Sequence, residues 1–438
     1  VGPLVPERNG PLVRTRLPRP LPIPERRARH TGSPRRRVRL VAVPAALLLS
    51  LTAAAPAPAT SVRSDAPAES EQSVPPFAET LTPELIALMQ RLRVPGAIVS
   101  IRTPEWGTWT TALGTGNLAD GTPMRTEDHM RVGSITKTFT GTIILRLVQA
   151  GELSLDDPVA EFRPDVPDGE HITIRQLLQM TSGLYNYTED PDFNRALDEH
   201  PQAPWTPDEL PAIAFKHPSY FPPGGGFHYS NTNTVLLGLI AEKLTGRPLA
   251  ELFQQQIFGP LGMSESSLAD DTRLPLPHAH GYEFIGNVES LTAPVLTDKD
   301  AAWADWSAGN PKDVTDANPS WAWAAGAAVS TVDDLLRWAP ALATGTLLSP
   351  EIQRERLTFV PTSDRPGAPG YGLAIADFSG FLGHDGQLPG YNSFVGYNPQ
   401  SGATIVVLAN LNQSPDGNAP ADELTKLILA KVFSGSPS

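Results

Sequence analysis

The chain of 438 residues contains no cysteine. Disulfide frameworks, thiolate nucleophiles, iron–sulfur clusters and cysteine-ligated zinc are therefore excluded, and stability must come from burial. Lysine is scarce, with seven in the whole chain, so each one in an apolar context carries weight. No apolar run reaches the roughly 20 residues that a membrane-spanning helix needs. There is no Gly-x-Ser-x-Gly elbow, no Gly-Lys phosphate loop and no His-Glu-x-x-His. These absences remove the usual signatures of α/β-hydrolase nucleophiles, nucleotide phosphate cradles and zinc-bearing helices. His278 and His280 sit in a proline-flanked loop without a third ligand, so no metal site is expected.

Charge is unevenly placed. The first 39 residues hold eleven arginines against Glu7 and Glu25, a surplus of nine positive charges in a chain whose net charge is −13. Residues 40–59 are uncharged, so the chain from Thr60 onward carries −22 and repels phosphate backbones and anionic lipid. No nucleic-acid partner is expected. The arginines at Arg35–Arg37 and Arg39 precede the short apolar stretch Leu40–Leu51, and Ala57, Pro58, Ala59 form an A-x-A site. This pattern predicts a secretory signal cleaved near Ala59 and an exported product, with Arg36 and Arg37 leaving the twin-arginine route open. Residues 1–34 read as a basic tail upstream of that signal.

Residues 60–80 are rich in Ser, Pro, Ala and Glu and read as a linker. The folded unit is expected over 81–433, with 434–438 as a tail. Leu85, Ile86, Met89 and Leu92 predict a helix, and Ala97–Ile101 and Thr108–Leu113 predict paired strands. Phe381–His384, Ser393–Tyr397 and Thr404–Ala409 read as three antiparallel strands, followed by a helix over Asp422–Val432. Between them the sequence is mostly helical, with a capping box at Thr173 and Gln176. The resulting α+β architecture has an antiparallel sheet built from both chain ends (about 81–150 and 325–433). Helices flank it, and a helical domain over about 151–324 is inserted. Gly114–Ala119 mimics a dinucleotide fingerprint, but Asp120–Pro123 follow where a helix should start, so it reads as a hairpin end. Trp303, Trp306, Trp321 and Trp323 read as core packing.

Gly133-Ser134-Ile135-Thr136-Lys137 opens an apolar helix that stops at Gly151. Ser and Lys three apart share a helix face, so an amine can reach the hydroxyl. A lysine accepts a serine proton near neutral pH only if its pKa falls by about three units from 10.4, which burial near another cation can supply. Alone, the pair reads equally well as an N-capping serine with a solvent lysine. Two further elements join it. Tyr229-Ser230-Asn231 follow the loop Pro222–Gly226 and precede a helical run, which puts a phenol and an amide at a loop-to-helix edge. His384-Asp385-Gly386 sit on a strand facing the same cleft.

With these three motifs in order, the chain resembles the penicillin-recognising serine hydrolases, most closely the D-alanyl-D-alanine carboxypeptidase and class C β-lactamase branch. The match runs from about Leu81 to Phe433 and includes Thr181–Leu184, Ala325–Asp334, Tyr371–Leu373 and Pro389–Tyr391. The resemblance implies a cofactor-free acyl-enzyme mechanism with Ser134 as nucleophile and Lys137 as its base. Tyr229 would relay the proton, with His384 oriented toward it. Asn231 would hold the substrate amide, and the backbone N–H groups of Ser134 and Gln387 would bind the oxyanion. It also implies action on small peptides, esters or β-lactams, most closely that of a D-alanyl-D-alanine carboxypeptidase working on peptidoglycan-type peptides; the oligomeric state is left open, with a monomer expected. An esterase, an amidase, a β-lactamase and a penicillin-binding sensor without turnover are the alternatives. Asp385 departs from the carboxypeptidase pattern, which has threonine there, and Ala374–Asp377 lack the basic cluster that would receive a terminal carboxylate.

Overall fold

The computed structural model describes residues 74–292, 310–365 and 367–433. The signal segment 1–59, most of the linker, Trp303, Trp306 and the tail 434–438 lie outside the described residues. Helix α1 (Pro76–Leu92) begins five residues before Leu81, with Pro76 in the first turn, where a missing N–H costs nothing. Its buried face is Ala78, Leu81, Leu85, Leu88, Met89 and Leu92. Ile86, expected on that face, is 41 % exposed. Helical geometry aligns Leu88, at i+3 and i+7, with Leu85 and Leu81 instead.

The first strands are β1 (Gly96–Thr103), β2 (Gly107–Asn117) and the short β3 (Thr122–Pro123). The glycine-rich stretch from Gly114 is thus the end of β2 and its turn. From the other chain end come β4 (Val360–Pro361), β5 (Gly370–Tyr371), β6 (Ala376–Phe378), β7 (Phe381–Leu388), β8 (Tyr391–Asn398) and β9 (Ala403–Ala409). They form one nine-stranded antiparallel sheet in the order β3-β2-β1-β9-β8-β7-β6-β5-β4. The two chain ends meet where Ile98 of β1 pairs with Leu408 of β9, and Val99 with Val407.

Strand alternation then sorts these residues onto two faces. Ile98, Val406 and Leu408 join the core beneath α2 (Thr136–Ala150) and α4 (Val332–Thr344). Val99, Ile405 and Val407 pack with α1 and α5 (Pro420–Ile428) on the opposite face. All seven residues of β9 are buried, as a strand covered on both sides requires. α5 starts two residues before the expected Asp422 and continues as a looser π turn over Leu429–Phe433. Between the sheet-forming parts lie mostly helices. They include the capping-box helix Ile174–Leu178, and α3 (Asn231–Thr245), which shares the core with α2. Among the described residues, no helix is long and apolar enough to cross a membrane.

Two features of this fold create a cleft. A 3-10 turn, Gly133–Ile135, leads into α2 and rests against β7. Strand β6 pairs only with Phe381–Gly383 of β7, so past Gly383 that side of β7 has no neighbouring strand among the described residues.

Candidate active site

Ser134 lies in the 3-10 turn, two residues ahead of α2, and makes no cap hydrogen bond. It is therefore not the N-capping serine that the sequence alone allowed. The turn is pressed onto β7 so closely that two glycines are required. A Cβ on Gly386 would stand 2.1 Å from the Val132 carbonyl oxygen and 3.0 Å from the Ser134 nitrogen. Gly133 has φ +53°, and a Cβ there would stand 2.5 Å from the Gln387 nitrogen. The backbone nitrogens of Ser134 and Gln387 therefore flank one small space. A helix-start turn and a strand edge supply them, the two kinds of backbone donor that an oxyanion hole draws on.

One turn further on, Lys137 is fully buried. Its Nζ lies 2.9 Å from Ser134 Oγ, 2.6 Å from Asn231 Oδ1 and 2.7 Å from the Ala325 carbonyl oxygen. Burial pulls its pKa down to about 7, and the field of Asp385 opposes this only in part. A neutral amine has two N–H donors and one lone pair. The two carbonyl oxygens can only accept, so they take both donors, and the lone pair is left to face the Ser134 hydroxyl. Asn231 is itself held: its Nδ2 donates to Thr188 Oγ1 at 3.0 Å.

Tyr229 lies over this amine, with Lys137 Nζ 4.8 Å from the ring centroid. Its hydroxyl is buried with no hydrogen-bond partner among the described residues. Burial first, then the fields of Tyr371 and Asp385, push its pKa well above the ordinary phenol range, while the Ser134 hydroxyl pulls the other way. The phenol is therefore protonated at any ordinary pH. Of the two, Lys137 is the group whose pKa suits accepting a proton near neutral pH. An unsatisfied buried hydroxyl costs about 1–3 kcal/mol. We expect Tyr229→Phe to leave the melting temperature unchanged or higher while lowering turnover about 100-fold, measured by calorimetry and steady-state kinetics. A stability loss with full turnover would give Tyr229 a packing role instead.

His384 is buried, but its nitrogens turn elsewhere than expected. Nδ1 donates to the Asp385 carbonyl oxygen at 2.6 Å, and Nε2 lies 3.1 Å from the Tyr371 hydroxyl. The rings of His384 and Tyr229 are 6.1 Å apart, so the contact is through their faces and edges, not through a proton. With Nδ1 committed to a carbonyl, Nε2 is the nitrogen that meets the Tyr371 hydroxyl. Tyr371, noted in the sequence only as part of a strand motif, thus joins the site.

Asp385 sits on the open edge of β7 with its side chain 46 % exposed and Oδ1 3.2 Å from His384 Nδ1. Burial acts to raise its pKa, but the His384 hydrogen bond and charge, aided by Lys137, hold the carboxyl below its ordinary range. Ala374, Ile375 and Ala376 are buried, with Ala374 against Gly141 of α2, and Asp377 accepts from the Gly380 N–H. The segment that would carry a carboxylate-binding cluster is committed to packing and a turn.

Elsewhere, the rings of His278 and His280 stack at 5.7 Å, and His280 pairs with Asp313 at 2.7 Å. Trp321 and Trp323 are partly buried against the core. Among the described residues, one trio has ligand atoms within 4.8 Å of one another, namely Asp168, Glu170 and His171, all of them exposed.

A serine and a buried lysine one turn apart, a phenol and an amide above them, and a strand edge alongside define a serine acyl-transfer site. Residues 84–430 match the Beta-lactamase family, and the chain belongs to that family of serine hydrolases. Among solved structures it is similar to a D-stereospecific amidohydrolase from Streptomyces sp., with a TM-score of 0.68 and 33 % identity. That likeness covers 82 % of this chain and 99 % of the other. It is also similar to the D-amino acid amidase of Ochrobactrum anthropi SV3, with a TM-score of 0.68 and 25 % identity, covering 81 % of this chain and 97 % of the other. A D-aminopeptidase of Cereibacter sphaeroides is 34 % identical over 205 residues, which are 47 % of this chain and 39 % of that protein. The chain thus spans well under half the length of this curated relative.

Proposed function

We propose that the protein hydrolyses amide bonds beside D-configured residues in small peptides and amides through an acyl-enzyme on Ser134. The observation that carries this reading is the buried Lys137 amine, with its pKa near 7 and its Nζ 2.9 Å from Ser134 Oγ. Lys137 takes the serine proton as Oγ attacks the carbonyl carbon. The N–H groups of Ser134 and Gln387 receive the oxyanion. Tyr229, still protonated, donates to the departing amine and is reprotonated from Lys137, which expels the amine and leaves the ester. Water then attacks the ester along the same route. The similarity to a D-stereospecific amidohydrolase and a D-amino acid amidase supports the choice of D-amides. We extend the reading to export from the cytoplasm, on the strength of the basic-then-apolar leader and its A-x-A site.

The test is hydrolysis of matched D- and L-amino acid amides, together with a time course of a fluorescent penicillin read by gel and intact mass. D-selective turnover and transient serine labelling are expected. Permanent labelling without turnover would make the protein a penicillin-trapping module, and no reaction with either probe would overturn the hydrolase reading.

Asp385 separates amide hydrolysis from C-terminal trimming. A carboxylate about 4 Å from another is repelled by roughly 1–4 kcal/mol between water-like and surface-like dielectrics. A free terminal carboxylate is therefore penalised and a neutral amide is not. We expect Asp385→Thr to raise kcat/KM for an acyl-D-Ala-D-Ala substrate, relative to its C-terminal amide, by about tenfold, the equivalent of 1.4 kcal/mol. An unchanged ratio at low salt would show that Asp385 does not face the leaving group and would restore the carboxypeptidase mode.

A further inference from the structure

The amide that meets Lys137 is held from outside α3. The 3-10 turn Tyr187–Glu189 and the residues before it are stitched to the start of that helix. Thr232 Oγ1 donates to the Tyr185 carbonyl oxygen at 2.7 Å and accepts the Tyr187 N–H at 3.3 Å. Ser230, at the N-cap of α3, makes no side-chain cap bond, which would leave the Asn231 N–H without an acceptor. Asn186 takes it instead. Its Oδ1 accepts from the Asn231 N–H at 3.0 Å and from the Thr188 N–H at 3.4 Å, and its Nδ2 donates to Glu189 Oε1 at 3.2 Å.

These contacts dictate the direction of every proton between Asn186 and Lys137. A backbone N–H can only donate and a carboxylate only accept, so the Asn186 amide is fixed in one orientation from both ends. The Thr188 hydroxyl lies 3.0 Å from Asn186 Oδ1 and 3.0 Å from Asn231 Nδ2. Its single proton goes to the Asn186 oxygen, which has none to give. Thr188 Oγ1 therefore meets Asn231 as an acceptor, which calls for the Nδ2 end there and turns Oδ1 toward Lys137 Nζ at 2.6 Å. In the reversed amide, an Nδ2 hydrogen would occupy the amine lone pair, and an amine N–H would face Ser134.

We propose that Asn186 and Thr188 are positioning residues of the acyl-transfer reaction, which set the end of the Asn231 amide that meets Lys137 and so aim the lysine lone pair at Ser134. The proposal rests on Lys137 as the base and not on which bond is cleaved. Loss of the Thr188 hydroxyl frees the amide to turn, which puts a donor where the ammonium had an acceptor and disfavours the charged form. The Lys137 titration should then move below its wild-type midpoint near 7. A merely structural role acts the other way, since a loosened site admits water, relieves the burial and moves the midpoint up toward 10.5. The titratable groups facing Lys137 are Tyr229, from the loop before α3, and Asp385, from β7. At the far end of the relay, Glu189 also lies 2.9 Å from His228 Nε2 and accepts the Tyr220 hydroxyl at 2.7 Å.

Thr188→Val, similar in shape but without the hydroxyl, is the test, and it is read in two ways. In protein isotope-labelled at the lysine Cε, NMR titration follows Lys137 without turnover, its signal among the seven lysines being the one missing from Lys137→Ala. A midpoint at least about half a pH unit below that of the wild type is expected. In steady-state kinetics on a D-amino acid amide, the plateau kcat should fall about tenfold or more, and the acid limb should move down with the midpoint. Thr188→Ser keeps the hydroxyl and should return the midpoint to the wild-type value and the plateau to within about threefold of it. Thr188→Ala carries the same expectation as Thr188→Val if the latter proves unstable. A midpoint that stays or rises overturns the proposal, as does a Thr188→Ser plateau no better than that of Thr188→Val. If the midpoint shifts as expected but the wild type hydrolyses no amide, the amidase reading fails and the positioning role stands.

Discussion

Ser134→Ala is expected to abolish amide and ester hydrolysis, by at least about 10⁴-fold in kcat, with no loss of fold. The activity loss follows from the geometry, because among the described residues the hydroxyl hydrogen-bonded to the Lys137 amine is that of Ser134. Retention of fold follows from an unexpected detail, the position of Ser134 in a 3-10 turn where its side chain caps nothing. A capping serine would cost about 1 kcal/mol when truncated. Here the melting temperature should stay within a degree or two. Intact mass after exposure to a penicillin supplies the second readout, with a covalent adduct on the wild type and none on the variant. Activity above one per cent, or an adduct on the variant, would move the nucleophile elsewhere.

Lys137→Ala should lower kcat/KM by about 10³-fold, the middle of the range for a positioned general base. The same substitution should change the pH profile. Lys137 must be neutral to accept a proton, so wild-type kcat/KM should rise about tenfold per unit below pH 7 and level off above it. The variant should lose that limb. Stability provides an independent check. The folded pKa is depressed from 10.5 to about 7, so between those values the unfolded chain holds one more proton than the folded one. Wild-type stability therefore rises with pH across that window, by an amount on the order of 5 kcal/mol, and Lys137→Ala should flatten the rise. A buried lysine that costs this much at neutral pH has no structural justification, which is why its pairing with Ser134 is read as functional. A flat wild-type profile between pH 5 and 8 would remove Lys137 as the base.

The sequence carried the strand pairings and the closeness of Ser134 and Lys137 because both rest on short-range patterns: alternating or continuous apolar runs in the strands, and a three-residue spacing that fixes one helix face. It also carried the capping box at Thr173 and the left-handed glycine that ends α2. What it could not carry depends on contacts made across the fold. Ile86 looked apolar and correctly spaced, yet only the position of the sheet decides which stripe of α1 is covered. The partner of His384 was expected to be Tyr229, whereas Tyr371 arrives from β5, two strands away in the sheet. The Ala325 carbonyl and Thr188, which hold Lys137 and Asn231, left no signal, since a backbone oxygen and a loop threonine look like any others. The strip Ala374–Asp377 read as a missing basic cluster, and its packing against Gly141 gives the reason that a large cation has no room there.

The joint between β1 and β9 has a consequence for how the molecule is made. The Gly96 N–H donates to the Asn410 side chain across 314 positions, and β7, which brings the Gln387 nitrogen to Ser134, is joined to β1 through β8 and β9. Contacts so distant in sequence are slow to form, because the loop must close before any pairing rewards it. During synthesis the chain would expose Ser134 and α2 well before β7 and its Gln387 nitrogen leave the ribosome. A nascent chain of that length has the serine and the lysine but not the strand edge beside them. Chains released short of β9 should accumulate as inert, aggregation-prone species and not as partly active ones.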